Sequence, residues 1–145
     1  ELGIVIGTRC KEVSAEQAGE YIFGYTCVND VTAADHFKET ADFEQWTRAK
    51  SYDTFGVLGP VIATGLDVSQ LNVVTRLDGV ERQNYPVADM IFSPAQIVSR
   101  ISQDMSLLSG DVIACGTSLG VGSMRPGARV EITIAGIGAL TNVVG

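Results

Sequence analysis

Short apolar runs separated by turn residues dominate the hydrophobic pattern of this chain. The first run spans residues 1–7 and the second residues 21–28, and others follow up to residue 144. Runs of this length, rich in Val and Ile and bounded by Gly, Asn, Asp or Pro, are typical of β-strands. The pattern therefore predicts a mainly β fold with a few short helices, of the α+β class.

Two β-hairpins are predicted from the turn residues. Leu77-Asp78-Gly79-Val80 joins two of the runs, and Asp-Gly is a strong hairpin signal because both residues tolerate positive φ. A second hairpin is predicted at the end of the chain, where Gly136-Ile137-Gly138 separates residues 128–135 from residues 139–144.

Two segments carry helix signals. Ser14-Ala15-Glu16-Gln17 has the form of a capping box, which predicts a short helix over about residues 15–20. Ser93-Pro94-Ala95-Gln96 places an N-cap serine before a proline, and apolar residues then follow at a spacing of four, at Ile97, Ile101 and Met105. This second helix is predicted to end near Leu108.

Residues 32–52 differ from the rest of the chain. The segment is rich in charge and contains the only His and the only Trp of the sequence. It is too long for a plain connection, so we expect either a short helical excursion or a functional loop. His36 has no Ser or Cys partner in a catalytic arrangement, and we expect it to be exposed or to support a neighbouring site.

Composition limits the classes of function. At 145 residues the chain fits one domain, and its net charge of -7, without a basic run, argues against nucleic acid or an anionic membrane as a partner. No apolar run approaches the ~18 residues of a membrane span, and no signal peptide is visible. Three widely spaced cysteines are expected to be buried free thiols in a cytoplasmic protein: Cys10, Cys27 and Cys115.

Two acids stand at the ends of apolar runs. Glu1 opens the first run, and Asp30 follows the second in an Asn-Asp pair. Carboxylates suit hard cations such as Mg²⁺, Mn²⁺ or Ca²⁺. Two ligands are too few for a complete site, and Asn-Asp is also turn chemistry, so a capped turn remains an alternative for Asp30.

Two further features could bind an anionic ligand. Lys50 has three aromatic neighbours in sequence, which favours a partly buried ammonium over an ordinary surface lysine: Trp46, Tyr52 and Phe55. Gly116-Thr117 follows a strand predicted over residues 111–115 and opens a glycine-rich turn that can present amides and a hydroxyl to an anion. A plain loop is the alternative for this turn.

Together these motifs resemble the fumarylacetoacetate hydrolase family, which includes acylpyruvate hydrolases, oxaloacetate decarboxylases and hydroxyheptadienedioate isomerases. The motifs run in the family's order over nearly the whole chain. They are ELGIVIG at residues 1–7, FGYTCVNDVTA at 23–33, QWTRAKSYDTFG at 45–56, LGP at 58–60, DMIFS at 89–93 and GDVIACGT at 110–117.

The resemblance implies a Mg²⁺ or Mn²⁺ ion, or Ca²⁺ in a crystal, held by a Glu-x-Glu pair and the Asn-Asp motif. Glu1 would be the second glutamate of that pair, Asp30 the third ligand, and the first glutamate would lie two residues upstream. Lys50 corresponds to the family's active-site lysine, which contacts substrate. Gly116 and Thr117 correspond to its substrate-binding pair.

Other implications concern the whole protein. The family's acid/base pair, a His-x-x-Glu on an N-terminal lid, has no counterpart here, so residues 1–145 are expected to be a single catalytic domain truncated on its N-terminal side. The implied fold is a mixed β-sandwich roll, commonly a homodimer. Where the family continues its Asn-Asp motif with Arg and later Gln, this chain has Ala34 and Phe37, so the anchoring of the substrate's far end differs.

The expected function is a divalent-metal-dependent hydrolase or decarboxylase that cleaves a C–C bond in small 2-oxo or β-diketo acids through a stabilised enolate. An isomerase of the hydroxyheptadienedioate type, acting in aromatic catabolism, is the alternative within the family. A non-catalytic binding domain is the alternative outside enzymes, favoured by Ala34 and Phe37 and opposed by the retention of Lys50.

Overall fold

Two antiparallel sheets build this protein, in a computed structural model that describes residues 1–39 and 43–145. Within those residues each sheet has four strands. The strands are β1 (Leu2–Ile6), β2 (Ile22–Asn29), β3 (Val57–Ala63), β4 (Asn72–Leu77), β5 (Val80–Pro86), β6 (Val112–Ala114), β7 (Arg129–Ile134) and β8 (Gly138–Val143). The mainly β prediction is confirmed.

The strand order brings distant parts of the chain together. The first sheet runs β3-β2-β1-β6, and β1 pairs with β2 through Leu2 opposite Cys27 and with β6 through Gly3 opposite Ala114. The second sheet runs β5-β4-β7-β8. The start of β1 therefore lies between the end of β2 and the end of β6, although these two ends are more than 80 residues apart in sequence.

Helices are short and few in the described chain. The α-helices are α1 (Trp46–Lys50) and α2 (Pro94–Asp104), and 3₁₀ turns cover Ala18–Tyr21, Ala34–Lys38, Val68–Gln70 and Val87–Asp89. The segment 32–52 thus contains a helical excursion, as one of its two predicted alternatives required; Thr40 to Asp42 within it lie outside the described residues. Neither α-helix of the described chain has the length and apolar character of a membrane span.

Two apolar clusters stabilise the sheets. One lies between the sheets and joins Leu2 and Cys27 of the first sheet to Val73, Ile132 and Ile134 of the second, all at most 2% exposed. The other packs the far end of β1 against α2. Its buried members are Ile4, Ile6, Cys10, Val13, Ala18, Val98 and Leu107. Fully burying a large aliphatic side chain contributes roughly 1.5–3 kcal/mol.

Both predicted hairpins are confirmed. Asp78 and Gly79 form the β4–β5 turn with φ of 51° and 80°. The closing hairpin pairs β7 with β8 around Gly136-Ile137; β7 is one residue shorter than predicted at each end, and β8 begins and ends one residue earlier than predicted. The cysteines are free thiols as predicted, with Cys10 and Cys27 buried and Cys115 half-buried.

The helix predicted over residues 15–20 was misplaced. A turn occupies residues 15–17, and a 3₁₀ helix follows only at Ala18–Tyr21. The Ser14 amide does donate to Oε1 of Gln17 at 3.4 Å, so half of the predicted capping box forms. The segment then enters β2 at Ile22, which leaves no room for a longer helix.

The second helix starts as predicted but ends earlier. Ser93 caps it, because its hydroxyl accepts from the Gln96 amide at 3.3 Å and the Gln96 side chain accepts from the Ser93 amide at 2.8 Å. The helix ends at Asp104 rather than near Leu108, since Leu107 pairs instead with the backbone of Cys10. The buried face is Pro94, Val98 and Ser102. Ile97 and Ile101 flank this face, whereas Met105 lies just past the helix end and is 59% exposed.

Candidate active site

The candidate site begins where three strand ends of the first sheet meet. Glu1 immediately precedes β1, and its backbone exchanges hydrogen bonds with Val28 of β2 at 2.7 and 2.9 Å. Asp30 lies two residues beyond Val28, just past the end of β2. Gly116 lies just past β6 on the other side of β1. Antiparallel pairing thus brings Glu1, Asp30 and Gly116 to one edge of the sheet.

Glu1 and Gly116 are directly bonded. The Gly116 amide donates to Oε2 of Glu1 at 2.9 Å, and the Cys115 amide donates to the Leu2 carbonyl at 3.0 Å. Gly116 has φ of 87°, a left-handed conformation that glycine adopts without strain. In this structure the Gly116 amide therefore orients the Glu1 carboxylate, and the substrate-binding role expected for Gly116 and Thr117 stays a prediction.

Lys50 completes the other side of the site. It ends helix α1, which is tied to the chain after Asp30 by a hydrogen bond from the Ala33 amide to the Ala49 carbonyl at 2.9 Å. The Lys50 ammonium pairs with the Asp30 carboxylate and donates to Thr32 Oγ1 at 3.2 Å. Its side chain is 34% exposed, and its nitrogen lies 6.0 Å from the centre of the Trp46 ring. The predicted partly buried ammonium is confirmed.

Burial and charge act against each other at Glu1. Burial raises the pKa of the Glu1 carboxyl, while the Gly116 amide lowers it by hydrogen bonding to the ionised form. The negative charge of Asp30 raises that pKa further, and the Lys50 ammonium lowers it. The two carboxylates are therefore close enough to repel one another, which is the situation that a bound cation relieves.

The second sheet contributes two polar side chains that the sequence did not reveal. Gln83 of β5 donates from Nε2 to Thr117 Oγ1 at 2.7 Å and to the Ser118 carbonyl at 2.8 Å. The Tyr85 hydroxyl donates to the Gly116 carbonyl at 3.3 Å. Burial raises the pKa of Tyr85, against a smaller lowering by its hydrogen bond with the Thr117 side chain. No sequence signal marked these residues, because their contacts join β5 to a turn more than 30 residues away.

His36 stands apart from this set of contacts. It bonds to Glu39, which also pairs with Arg48, and its ring packs 5.3 Å from that of Tyr52. Its side chain is 33% exposed. This agrees with the prediction of an exposed or supporting histidine.

Comparison with known proteins adds the family. The model of the fumarylacetoacetate (FAA) hydrolase C-terminal domain matches residues 1–145, the full chain. This chain belongs to that family. It is 39% identical, over all of its length and 50% of the relative's, to an oxaloacetate tautomerase from Bacillus subtilis. It spans 50–65% of the length of the curated relatives with which it aligns.

Solved structures agree on the fold. The crystal structure of a 2-hydroxyhepta-2,4-diene-1,7-dioate isomerase from Mycobacterium marinum superposes with a TM-score of 0.93 at 49% identity, covering 99% of this chain and 56% of that one. A maleylpyruvate hydrolase from Sphingobium sp. SYK-6, in complex with manganese(II) and pyruvate, superposes with a TM-score of 0.87 at 31% identity, covering 99% and 52%. The family and its mainly β fold are thus established for this chain.

The residues present fit part of a hard-cation site. Glu1 and Asp30 supply two carboxylates that repel one another, and oxygen donors of this kind suit Mg²⁺ and Mn²⁺. Among residues 1–39 and 43–145 no group of three His, Cys, Asp or Glu side chains is assembled. The described chain therefore offers two of the three carboxylates that the resemblance implies.

Two positions depart from the family pattern. Ala34 is exposed at the start of the 3₁₀ turn that follows Asp30, and it offers no polar side chain. Phe37, at the end of the same turn, packs its ring against Trp46 with 4.1 Å between ring centres. The position where the family commonly has Gln is therefore part of an aromatic contact with helix α1.

Proposed function

We propose that this chain is the metal-binding part of an enzyme that acts on small 2-oxo acids through an enolate. The observation that carries the proposal is the Glu1–Asp30 carboxylate pair with the Lys50 ammonium beside it. The ion would be Mg²⁺ or Mn²⁺, held by Glu1, Asp30 and a further ligand. The chemistry that such a cation supplies, when bound, is stabilisation of negative charge on the keto oxygen of the substrate.

The side chains around the pair have separate tasks in this proposal. Lys50 would attract the substrate carboxylate or balance charge that develops during the reaction, since its ammonium is only partly exposed. The Gly116 amide holds the Glu1 carboxylate in place. Thr117 has a hydroxyl next to this amide and could donate it to an anionic oxygen of the substrate.

Proton transfer on the enolate is the first candidate reaction. Two relatives support it, one described as an oxaloacetate tautomerase and the other as a hydroxyheptadienedioate isomerase. Tautomers and double-bond isomers interconvert by removing and returning a proton, without a water nucleophile. C–C cleavage by hydrolysis or decarboxylation is the second candidate, and the maleylpyruvate hydrolase with manganese and pyruvate supports it.

One set of assays separates these reactions. The complete polypeptide is incubated with oxaloacetate, acylpyruvates and 2-hydroxyhepta-2,4-dienedioate, with Mn²⁺ or with EDTA. Ultraviolet absorbance follows the enol form, and a lactate dehydrogenase couple follows released pyruvate. Loss of enol without pyruvate indicates a tautomerase or isomerase, whereas pyruvate release indicates cleavage.

Matched variants locate the metal dependence. Asp30→Asn is expected to abolish Mn²⁺-dependent turnover, whereas Asp104→Asn, at the exposed end of α2, should leave it unchanged. Turnover that persists in EDTA would contradict the proposal. Metal binding without turnover of any of these substrates would favour the non-catalytic binding domain instead.

The proposal also includes a homodimer, for which light scattering on the complete polypeptide is the test.

A further inference from the structure

Gln83 of β5 has a buried side-chain amide. It is 8% exposed, and among the described residues only Thr26 and Ser102 are other polar side chains buried to this degree. A buried amide without partners costs roughly 1–3 kcal/mol, so its hydrogen bonds determine its position. Both hydrogens of its nitrogen are used, one on Thr117 Oγ1 at 2.7 Å and one on the Ser118 carbonyl at 2.8 Å.

The chemistry of these two acceptors fixes the orientation of the amide. A backbone carbonyl can only accept a hydrogen bond, so the nitrogen of Gln83, and not its oxygen, must face Ser118. The same nitrogen then faces the Thr117 hydroxyl and donates to it. Gln83 therefore makes Thr117 Oγ1 an acceptor on this side.

The segment that follows β6 is also held against β5 by shape. Gly120 has φ of 110°, and a Cβ at this position would lie 2.1 Å from the carbonyl oxygen of Arg82. No side chain fits there, so the turn and the strand are in direct backbone contact. Tyr85 adds its bond to the Gly116 carbonyl at 3.3 Å. Three residues of β5, Arg82, Gln83 and Tyr85, thus contact the segment that starts at Gly116.

A hydroxyl has one proton to donate. Thr117 Oγ1 already accepts a hydrogen bond from the Gln83 side-chain amide. The Thr117 hydroxyl proton must therefore point away from that amide, either to the Tyr85 hydroxyl or to a ligand. Gly116, the residue before it, bonds to the Glu1 carboxylate. The donor end of Thr117 therefore belongs to the same small region as the proposed cation ligand.

We propose that Gln83 is a positioning residue that holds the Thr117 hydroxyl as a hydrogen-bond donor toward an anionic oxygen of the bound 2-oxo acid. This inference rests on the proposed function, because it needs a 2-oxo acid in the site. Gln83 itself does not touch the substrate. Gln83 donates to the Thr117 oxygen, so the Thr117 hydroxyl donates its own proton on the side away from Gln83.

The decisive variant reverses the polarity of the contact with little change in shape. In Gln83→Glu the carboxylate accepts the Thr117 proton, so that the hydroxyl is lost as a donor to substrate. The control is Asn84→Asp, the same amide-to-carboxylate change on the next residue of β5, whose exposed side chain bonds to Asn72 at 2.6 Å. Gln83→Met serves as an uncharged second variant if Gln83→Glu fails to fold.

Calorimetry on the complete polypeptide gives the readouts. The dissociation constants are measured for Mn²⁺ alone and for pyruvate on the Mn²⁺-loaded protein. Gln83→Glu is expected to weaken pyruvate binding at least tenfold, about 1.4 kcal/mol, with less than a threefold change for Mn²⁺. Gln83→Met should weaken it by about threefold to tenfold, and Asn84→Asp should change neither constant.

A double-mutant cycle with Thr117→Val tests the route of the effect. If Gln83 acts through the hydroxyl, its substitution should cost little more pyruvate affinity once that hydroxyl is gone. An equal loss in the Thr117→Val background would overturn the inference, as would unchanged pyruvate binding in Gln83→Glu, and the proposed function would stand in both cases. A wild-type protein that binds Mn²⁺ but not pyruvate would overturn both proposals.

Discussion

Replacing Lys50 by Met should strengthen, not weaken, the binding of a divalent cation. In the structure the Lys50 ammonium occupies the Asp30 carboxylate, with side-chain exposures of 34% and 25%. A cation bound by Asp30 must compete with that ammonium and then remain beside its positive charge. Loss of the ammonium removes both penalties.

The size of the effect follows from the charges. A single and a double positive charge about 5 Å apart repel by about 1.7 kcal/mol in water and by about 6.6 kcal/mol at an effective dielectric constant of about 20. Because Lys50 is about one-third exposed, solvent screening favours the lower value. We therefore expect Mn²⁺ to bind on the order of tenfold to twentyfold more tightly to Lys50→Met.

The assay is Mn²⁺ titration by calorimetry at low ionic strength, with turnover measured in parallel. Arg48→Met is the matched control, since it removes one positive charge from the same helix but from a side chain that pairs with Glu39. Turnover should fall in Lys50→Met while Mn²⁺ affinity rises. Unchanged or weaker Mn²⁺ binding in Lys50→Met would refute the competition between Lys50 and the cation for Asp30.

Two further predictions concern the core and the thiol beside the site. Ile134 is 0% exposed, so Ile134→Ala should cost about 2–5 kcal/mol of stability. Thermal unfolding should show this as a Tm lower by roughly 6–15 °C. Val143→Ala, at a 67% exposed position, is the control and should cost under about 0.5 kcal/mol. Burial, aided by the charge of Glu1, raises the pKa of Cys115 from 9.0 to about 12, so its alkylation by iodoacetamide should still rise about tenfold per pH unit from pH 9 to 10. A rate that levels off near pH 9 would contradict this. By linkage, this thiol's contribution to stability is complete below pH 9 and is lost as pH rises toward 12.

Features set by neighbouring residues were predictable from the sequence. The Asp78-Gly79 turn and the Ser93 N-cap depend on a few adjacent residues, and both formed as expected. The end of α2 did not, because Leu107 leaves the helical path to pair with Cys10. Helix propensity depends on neighbouring residues and cannot predict a contact between residues nearly 100 positions apart in sequence.

The same distinction applies to the site. Glu1 and Asp30 could be placed together because each flanks an apolar run, and antiparallel neighbours bring such ends to one edge. Gln83 and Tyr85 could not, since they belong to the other sheet and look like ordinary polar residues of a half-exposed strand. Their part in the site depends on how the two sheets pack, which no local pattern specifies.

That packing links the site to the core directly behind it. Leu2 follows Glu1 and is fully buried in the cluster that also contains Val73 and Ile134 of the second sheet. The Gly116–Ser118 turn is bonded on one side to Glu1 and on the other to β5. A substitution that lets the sheets separate would therefore also move Gln83 relative to Glu1. Core packing in this domain sets the distance between the carboxylate pair on one sheet and the hydroxyl donor held by the other.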